Sequence, residues 1–275
     1  MPPKAAKLGI LAGGGELPRL LIETCQNSGR EVFVIAFKSQ CDPETTQNVE
    51  HAWVNIGKAG AAIEQLRAHG VEELVMAGRI QRPSMAQLMP DARALKIIGA
   101  GVMNKGDDSL LSTIVHALET EEGFHFVGVH EVMPELLAPE GVLGRIHPSE
   151  QQQIAIRLAI HAAKDLGAKD LGQAAVASAL GVIALEERAG TDAMLESLLG
   201  AAQAQGAVLA KMMKPGQERR ADLPTIGVHT VENAARAGLG GIVVEAGGAL
   251  ILNRAAVVEA ADAQGLFVMG VTLNA

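Results

Sequence analysis

Short apolar runs alternate with helix-length amphipathic segments through the first half of the chain. Residues 8–11 (LGIL) and 32–37 (VFVIAF) are unbroken apolar stretches, the pattern of strands buried on both faces. Between them, residues 17–26 carry helical spacing. Residues 51–56 read as a weaker third strand, 61–68 as a helix, 74–77 as a strand and 109–118 as a helix, and residues 126–129 close the series. This βα alternation predicts a doubly wound, Rossmann-like parallel sheet over residues 1–133.

The pattern then breaks. Residues 134–148, PELLAPEGVLGRIHP, hold three prolines and two glycines and read as a linker. A long helix is expected over 149–166, starting at Ser149 or Glu150. After it come paired strands at 174–177 and 182–185 around Leu180-Gly181, a helix at 191–203 and a strand at 208–212. Strands at 242–244 and 250–252 follow, with Gly247-Gly248 expected as a hairpin turn, and a last strand at 267–271. The expectation for residues 149–275 is a C-terminal mixed α/β domain.

Composition narrows the function classes. The 275 residues suit two domains, and 48% hydrophobic against 20% charged content supports a sizeable core rather than disorder. Aromatic residues are only 2% and the net charge is -8, so stacking platforms and a basic field for nucleic acid are both missing. Cys25 and Cys41 form no CxxC pair or disulfide framework, which fits a reducing cytoplasm. Residues 1–7 hold no apolar core of a signal peptide. The longest apolar run, 174–185, is too short to span a bilayer. A soluble protein, or one attached at most to a membrane surface, is expected.

Against that acidic background one cationic segment stands out. Residues 211–227, KMMKPGQERRADLPTIG, gather Lys211, Lys214, Arg219 and Arg220 around Glu218 and Asp222, with Pro215, Gly216 and Pro224 shaping the loop. Such a loop can hold phosphate oxygens and place a carboxylate beside them for a metal or a water; a solvated basic turn is the plainer reading. Residues 9–18, GILAGGGELP, run from a strand through Gly13, Gly14 and Gly15 into Pro18 at a helix start. They suit either an anion cradle or tight strand–helix packing. No GK[ST] follows, so this is not a P-loop. The second strand runs into Ala36, Phe37 and Lys38 where a dinucleotide site would need an acid, which disfavours a nicotinamide oxidoreductase.

Further candidates lie at strand and helix ends. Residues 77–83, AGRIQRP, offer Arg79 and Arg82 to a ligand crevice. Asp107 and Asp108 read as an N-cap or as metal- or ribose-binding acids. Gln173 precedes a strand, and Glu186 and Glu187 end one. Thr191 and Asp192 begin a helix, Thr191 as a cap or as a ligand. No histidine pattern suggests zinc, and no G-x-S-x-G elbow suggests a covalent nucleophile.

Taken together, GILAGGGELP, AGRIQRP, GDDSLL, DLGQA, EERAGTDAML and KPGQERRADLPTIG resemble, in order and spacing, the UDP-2,3-diacylglucosamine pyrophosphatases of the LpxI type. The resemblance covers nearly the whole chain. It implies hydrolysis of a lipid-linked UDP-sugar to UMP and 2,3-diacylglucosamine 1-phosphate (lipid X) in lipid A biosynthesis of Gram-negative bacteria. It also implies a Mg²⁺ requirement and a cytoplasmic enzyme peripheral to the inner membrane, with two domains and substrate between them. Self-association stays open. Asp222 would be the catalytic acid, holding Mg²⁺ or activating water, with Asp192 as a second metal ligand. Lys211, Lys214 and Arg219 would balance phosphate charge. Gly14, Gly15, Arg79, Asp107 and Asp108 would lie at the uridine diphosphate, while Gln173, Glu187, Thr191, Asp192 and Thr225 would line the rest of the substrate. The alternative is a non-catalytic nucleotide-sugar binding protein.

Overall fold

A computed structural model describes residues 5–81, 88–101 and 107–273, with the backbone alone at 98, 100, 101 and 107–109. The chain divides into two compact units. One is Met1–Pro134 with Glu218–Asp222, and the other is Glu135–Gln217 with Leu223–Ala275.

The first unit is built on a parallel sheet. Its strands are β1 (Leu8–Ala12), β2 (Val32–Phe37), β3 (His51–Val54), β4 (Glu73–Ala77) and β5 (His125–Phe126), in the order β3-β2-β1-β4-β5. β1 pairs with β2 and β4 in parallel register, Leu8 opposite both Val32 and Glu73. The expected Rossmann-like sheet is therefore present. Strand order reverses at β1, so the loops leaving β1 and β4 form a crevice edge of the kind that receives ligands. Helices α1 (Leu17–Asn27), α2 (Ala59–Ala68), α3 (Ala92–Gly101), α4 (Asp107–Thr120) and the short α5 (Val129–Val132) complete the unit. Phe33, Ile35, Leu66, Leu74, Val115, Leu118 and Phe126 fill the core on one side of the sheet. The last strand is shorter than the expected 126–129. Gly128 donates its N–H to Glu131 Oε1 at 2.7 Å and opens α5 instead. α3 was not anticipated, although Asp91 caps it, its Oδ1 accepting from the Ala94 N–H at 2.8 Å.

The second unit holds a mixed sheet of β6 (Gly141–Val142), β7 (Ala174–Ser178), β8 (Gly181–Leu185), β9 (Val208–Lys211), β11 (Gly241–Glu245) and β13 (Phe267–Val271), in the order β6-β13-β11-β9-β7-β8. β9, β11 and β13 run parallel, while β6, β7 and β8 pair antiparallel. The 174–185 hairpin is formed as expected. The hairpin expected at Gly247-Gly248 is not. β12 (Leu250–Ile251) pairs in parallel with β10 (Thr225–Ile226), because both edges of β11 are already taken by β9 and β13. Gly247 still turns the chain tightly at φ 67°.

Of the expected linker 134–148, Glu135 onward is folded into this second unit. Pro134–Leu136 forms a 3₁₀ turn, Leu137 bridges to Leu250, and β6 pairs with β13. The Arg254 guanidinium donates to the carbonyls of Glu135 and Leu137. Helix α6 (Glu150–Ala168) follows, started by a reciprocal cap. Ser149 Oγ accepts from the Gln152 N–H at 3.3 Å, and the Ser149 N–H donates to Gln152 Oε1 at 2.9 Å. Helix α7 (Gly190–Ser197) is shorter than the expected 191–203, since Gly200 turns the chain at φ 75° before a separate 3₁₀ turn at Ala202–Ala204. Helices α8 (Val228–Arg236) and α9 (Arg254–Gln264) finish the unit.

Cys25 and Cys41 are both free and buried, and burial pushes both thiols up, so neither is poised as a nucleophile. Among the described residues no helix is long and apolar enough to cross a membrane.

Helix α7 is anchored by Leu195, which is fully buried among Met194, Leu198, Leu209 and Val231. Leu195→Ala is expected to cost about 2–5 kcal/mol in a urea titration, because the cavity lies where the core cannot collapse easily.

Candidate functional site

The carboxyl edge of the first sheet is laced by short polar contacts. The Gly13 N–H donates to Ala77 O at 2.8 Å, the Gly14 N–H to Arg79 O at 2.9 Å, and the Arg79 N–H returns to Gly14 O at 2.9 Å. A Cβ on Gly13 would stand 2.4 Å from Arg79 O, so only glycine permits this approach. Gly15, at φ 93°, donates its N–H to Asp42 Oδ2 at 2.8 Å. Gln40 ties the same edge together, its side-chain amide donating to Gln81 O at 3.1 Å and accepting from the Gln81 N–H at 2.8 Å. The backbone donors of Gly14 and Gly15 are thus engaged within the chain. What the glycines contribute here is close contact between the loops after β1 and β4, with the exposed Arg79 side chain carried on that edge. Asp107 and Asp108 open α4, and their side chains, like all of Arg82, lie outside the described residues.

The loop singled out in the sequence is divided between the units, with Glu218–Asp222 belonging to the first. There the N–H groups of Ala221 and Asp222 both donate to Glu218 O, at 3.0 and 3.1 Å. Ala221 rests on the core beside Phe33, Leu118 and Phe126. The Arg220 guanidinium reaches three ways. Nη1 donates to Glu119 Oε1 at 2.7 Å and to Phe126 O at 3.2 Å, while Nε and Nη2 donate to the two Glu218 oxygens at 3.0 and 2.9 Å. The hydrogen bonds from Arg220 hold the Glu218 carboxyl below the usual carboxylate range, and the two acids push the guanidinium further up. Asp222 sits half-buried two residues beyond Arg220, and Arg219 is exposed between Glu218 and Arg220. His130 on α5 is lowered, first by burial, with Glu131 opposing and Arg219 adding to the shift. Its ring is therefore neutral at pH 7, where Nδ1 is buried with no hydrogen-bond partner.

In the second unit, Lys214 Nζ donates to Asp170 Oδ1 at 2.8 Å, and the Lys214 N–H donates to Oε1 of the buried Gln217 at 3.1 Å. Lys211 Nζ donates to Thr225 O at 3.1 Å. Glu186, only 8% exposed, accepts from the Gln173 N–H at 2.7 Å and from Thr191 Oγ1 at 2.5 Å. It therefore ties the start of β7 to the start of α7. Glu187 is the exposed one of the two acids. Thr191 does not cap α7, since its hydroxyl is committed to Glu186 and the capping position is Ala189. Asp192 Oδ1 accepts from Asn233 Nδ2 at 3.1 Å. Gln173 Oε1 is buried with no hydrogen-bond partner.

The structure thus places Gly14, Gly15, Arg79, Arg219 and Asp222 in the first unit. Lys211, Lys214, Gln173, Glu187, Thr191, Asp192 and Thr225 lie in the second. Among the described residues no three His, Cys, Asp or Glu side chains converge as a ready metal cage. A Mg²⁺ carried on substrate phosphates needs no such cage, because it commonly takes one or two carboxylates and keeps its waters. Asp222 has the chemistry for that. Sequence reading passed over Asp42, Gln40 and Glu119, whose partners are 27, 41 and 101 residues away.

A Rossmann-like crevice edge, together with cations gathered near one carboxylate in the sequence, defines an α/β protein of the class that handles phosphorylated ligands. The model of the LpxI N-terminal domain matches residues 7–136 and that of the LpxI C-terminal domain matches residues 139–269. The chain belongs to the LpxI family. It is 44% identical over 274 residues to the UDP-2,3-diacylglucosamine pyrophosphatase LpxI of Caulobacter vibrioides, covering 96% of this chain and 97% of that protein. The carboxyaminoimidazole ribonucleotide synthase of Aspergillus clavatus, solved with ATP, is similar at 18% identity over 56% of this chain and 36% of that one. With a TM-score of 0.24 that likeness carries no argument.

The depressed Glu218 carboxyl gives a pH signature. A lowered folded pKa contributes stability above the ordinary carboxylate value, about 4.3, and loses it as pH falls through the folded value. Glu218→Gln is expected to be less stable than the native protein by up to about 1 kcal/mol at pH 7, given partial solvent screening. The gap should close as the pH falls below the ordinary carboxylate range in urea titrations.

Proposed function

We propose that this protein hydrolyses the pyrophosphate bond of UDP-2,3-diacylglucosamine, giving UMP and 2,3-diacylglucosamine 1-phosphate at the cytoplasmic face of the inner membrane. The observation that carries the reading is end-to-end similarity, 44% identity over 96% of the chain, to a relative named for that activity. The residues suit the chemistry. A pyrophosphate gathers negative charge as its bridging bond breaks, and fixed cations lower that barrier. Lys211, Lys214, Arg219 and Arg79 are the cations for this work. Asp170 holds the Lys214 ammonium in one place, so its charge needs little rearrangement during reaction.

In this mechanism a water attacks the sugar-side phosphorus and UMP departs as the leaving group. Asp222 takes the proton of the attacking water. Asp222 would also hold a Mg²⁺ brought with the phosphates, and the ion would supply charge neutralisation at the phosphoryl oxygens. Gly14, Gly15 and Arg79 serve the nucleotide side. Gln173, Glu187, Thr191 and Thr225 serve the sugar-phosphate side.

The test is turnover of UDP-2,3-diacylglucosamine in detergent micelles, in water labelled with heavy oxygen. UMP should appear only with metal, EDTA should abolish it, and label should enter the sugar 1-phosphate. Asp222→Ala is expected to lose about 10²–10⁴-fold in kcat, the usual worth of a general base. Label in UMP would move the attack to the other phosphorus. Substrate bound and returned intact would make the protein a sensor instead.

A further inference from the structure

We propose that Arg220 and Glu119 are positioning residues for Asp222, fixing the backbone that carries the catalytic carboxylate. The inference rests on the role given to Asp222 above. Glu218–Asp222 is a short excursion of the chain into the first unit, and regular secondary structure does not hold it. Within it, the Ala221 and Asp222 N–H groups donate to Glu218 O and the Arg220 N–H donates to Glu218 Oε1 at 3.2 Å. Two ties from this segment to the fold are the seat of Ala221 on the core and the Arg220 guanidinium.

That guanidinium is used on every side. Nε and Nη2 grip Glu218 within the segment, and Nη1 reaches Glu119 and the Phe126 carbonyl. Glu119 lies in the last turn of α4 and also accepts from the Phe126 N–H at 3.3 Å, so it keys the arginine to the end of β5. A planar fork with five N–H groups can meet these partners at once, and a lysine ammonium cannot. The Arg220 and Glu119 side chains are 30% and 27% exposed. Ion pairs at such exposure add little to global stability. Their consequence is geometric, and a displacement of about 1 Å in a reacting group costs on the order of 10²-fold in rate.

The experiment compares Glu119→Gln and Arg220→Lys with the native protein. Three things are read: kcat and KM for UDP-2,3-diacylglucosamine, thermal stability, and hydrogen exchange at the Ala221 and Asp222 amides. Expected are a fall in kcat of roughly 10- to 100-fold with KM within about threefold, a nearly unchanged melting temperature, and faster exchange at those two amides. Faster exchange with native kcat would overturn the proposal, because loop order would then not matter to catalysis. A fallen kcat with native exchange would also overturn it, assigning Arg220 to direct contact with substrate. If the native protein makes no UMP, the functional reading beneath the proposal is overturned. That case is told apart because the exchange arm still reports whether the clamp orders the segment.

Discussion

The guanidinium of Arg220 meets two carboxylates and a strand-end carbonyl, and this one group ties Glu218–Asp222 to the sheet of the first unit. Much follows from its geometry. Glu218 must stay ionised to accept both N–H groups, which is why its carboxyl is held low. Glu119 must face the end of β5, so α4 has to end where it does. Ala221 can then sit on apolar side chains, and Asp222 emerges half-buried on a segment with little local order of its own. The chain leaves the second unit at Gln217 and re-enters it at Leu223, so a turn coded late in the sequence joins a unit coded early.

The second unit uses the same device with different residues. Buried Glu186 joins the start of β7 to α7 through the Gln173 N–H and the Thr191 hydroxyl. Asp170, held at φ 53°, fixes the Lys214 ammonium. In each unit a carboxylate engaged within the chain holds a residue or segment that the proposed function gives a role. Such supporting acids matter because charge–charge and hydrogen-bond geometry must be set before reaction, when no energy is available to reorganise it.

The parallel sheet of the first unit was legible because its inner strands are buried on both faces, and an unbroken run such as VFVIAF has few other uses. The capped helix at Ser149 was legible for an equally local reason. Two-residue strands leave no period to detect, so β5, β6, β10 and β12 were missed or mis-sized. Gly247-Gly248 signalled a turn correctly but not which strands it serves, since that depends on which edges of β11 are free. At the site, the glycine loop and the cationic loop announced themselves by composition. Asp42 and Glu119 did not, because their partners lie 27 and 101 residues away, and only the folded chain brings them together. The choice between Glu186 and Glu187 had the same character: both lie just past the end of β8, and the buried one became the structural tie.

The central claim is that the clamp acts through Asp222, and a kinetic cycle tests it most directly. Single-turnover rates would be measured with enzyme in excess for the native protein, Glu119→Gln, Asp222→Ala and the double variant. If Glu119 serves only to place the Asp222 carboxylate, its replacement should lower the native rate yet leave the residual Asp222→Ala rate unchanged. Equal fold-losses in both backgrounds would contradict the account, because Glu119 and Arg220 would then serve the reaction independently of Asp222.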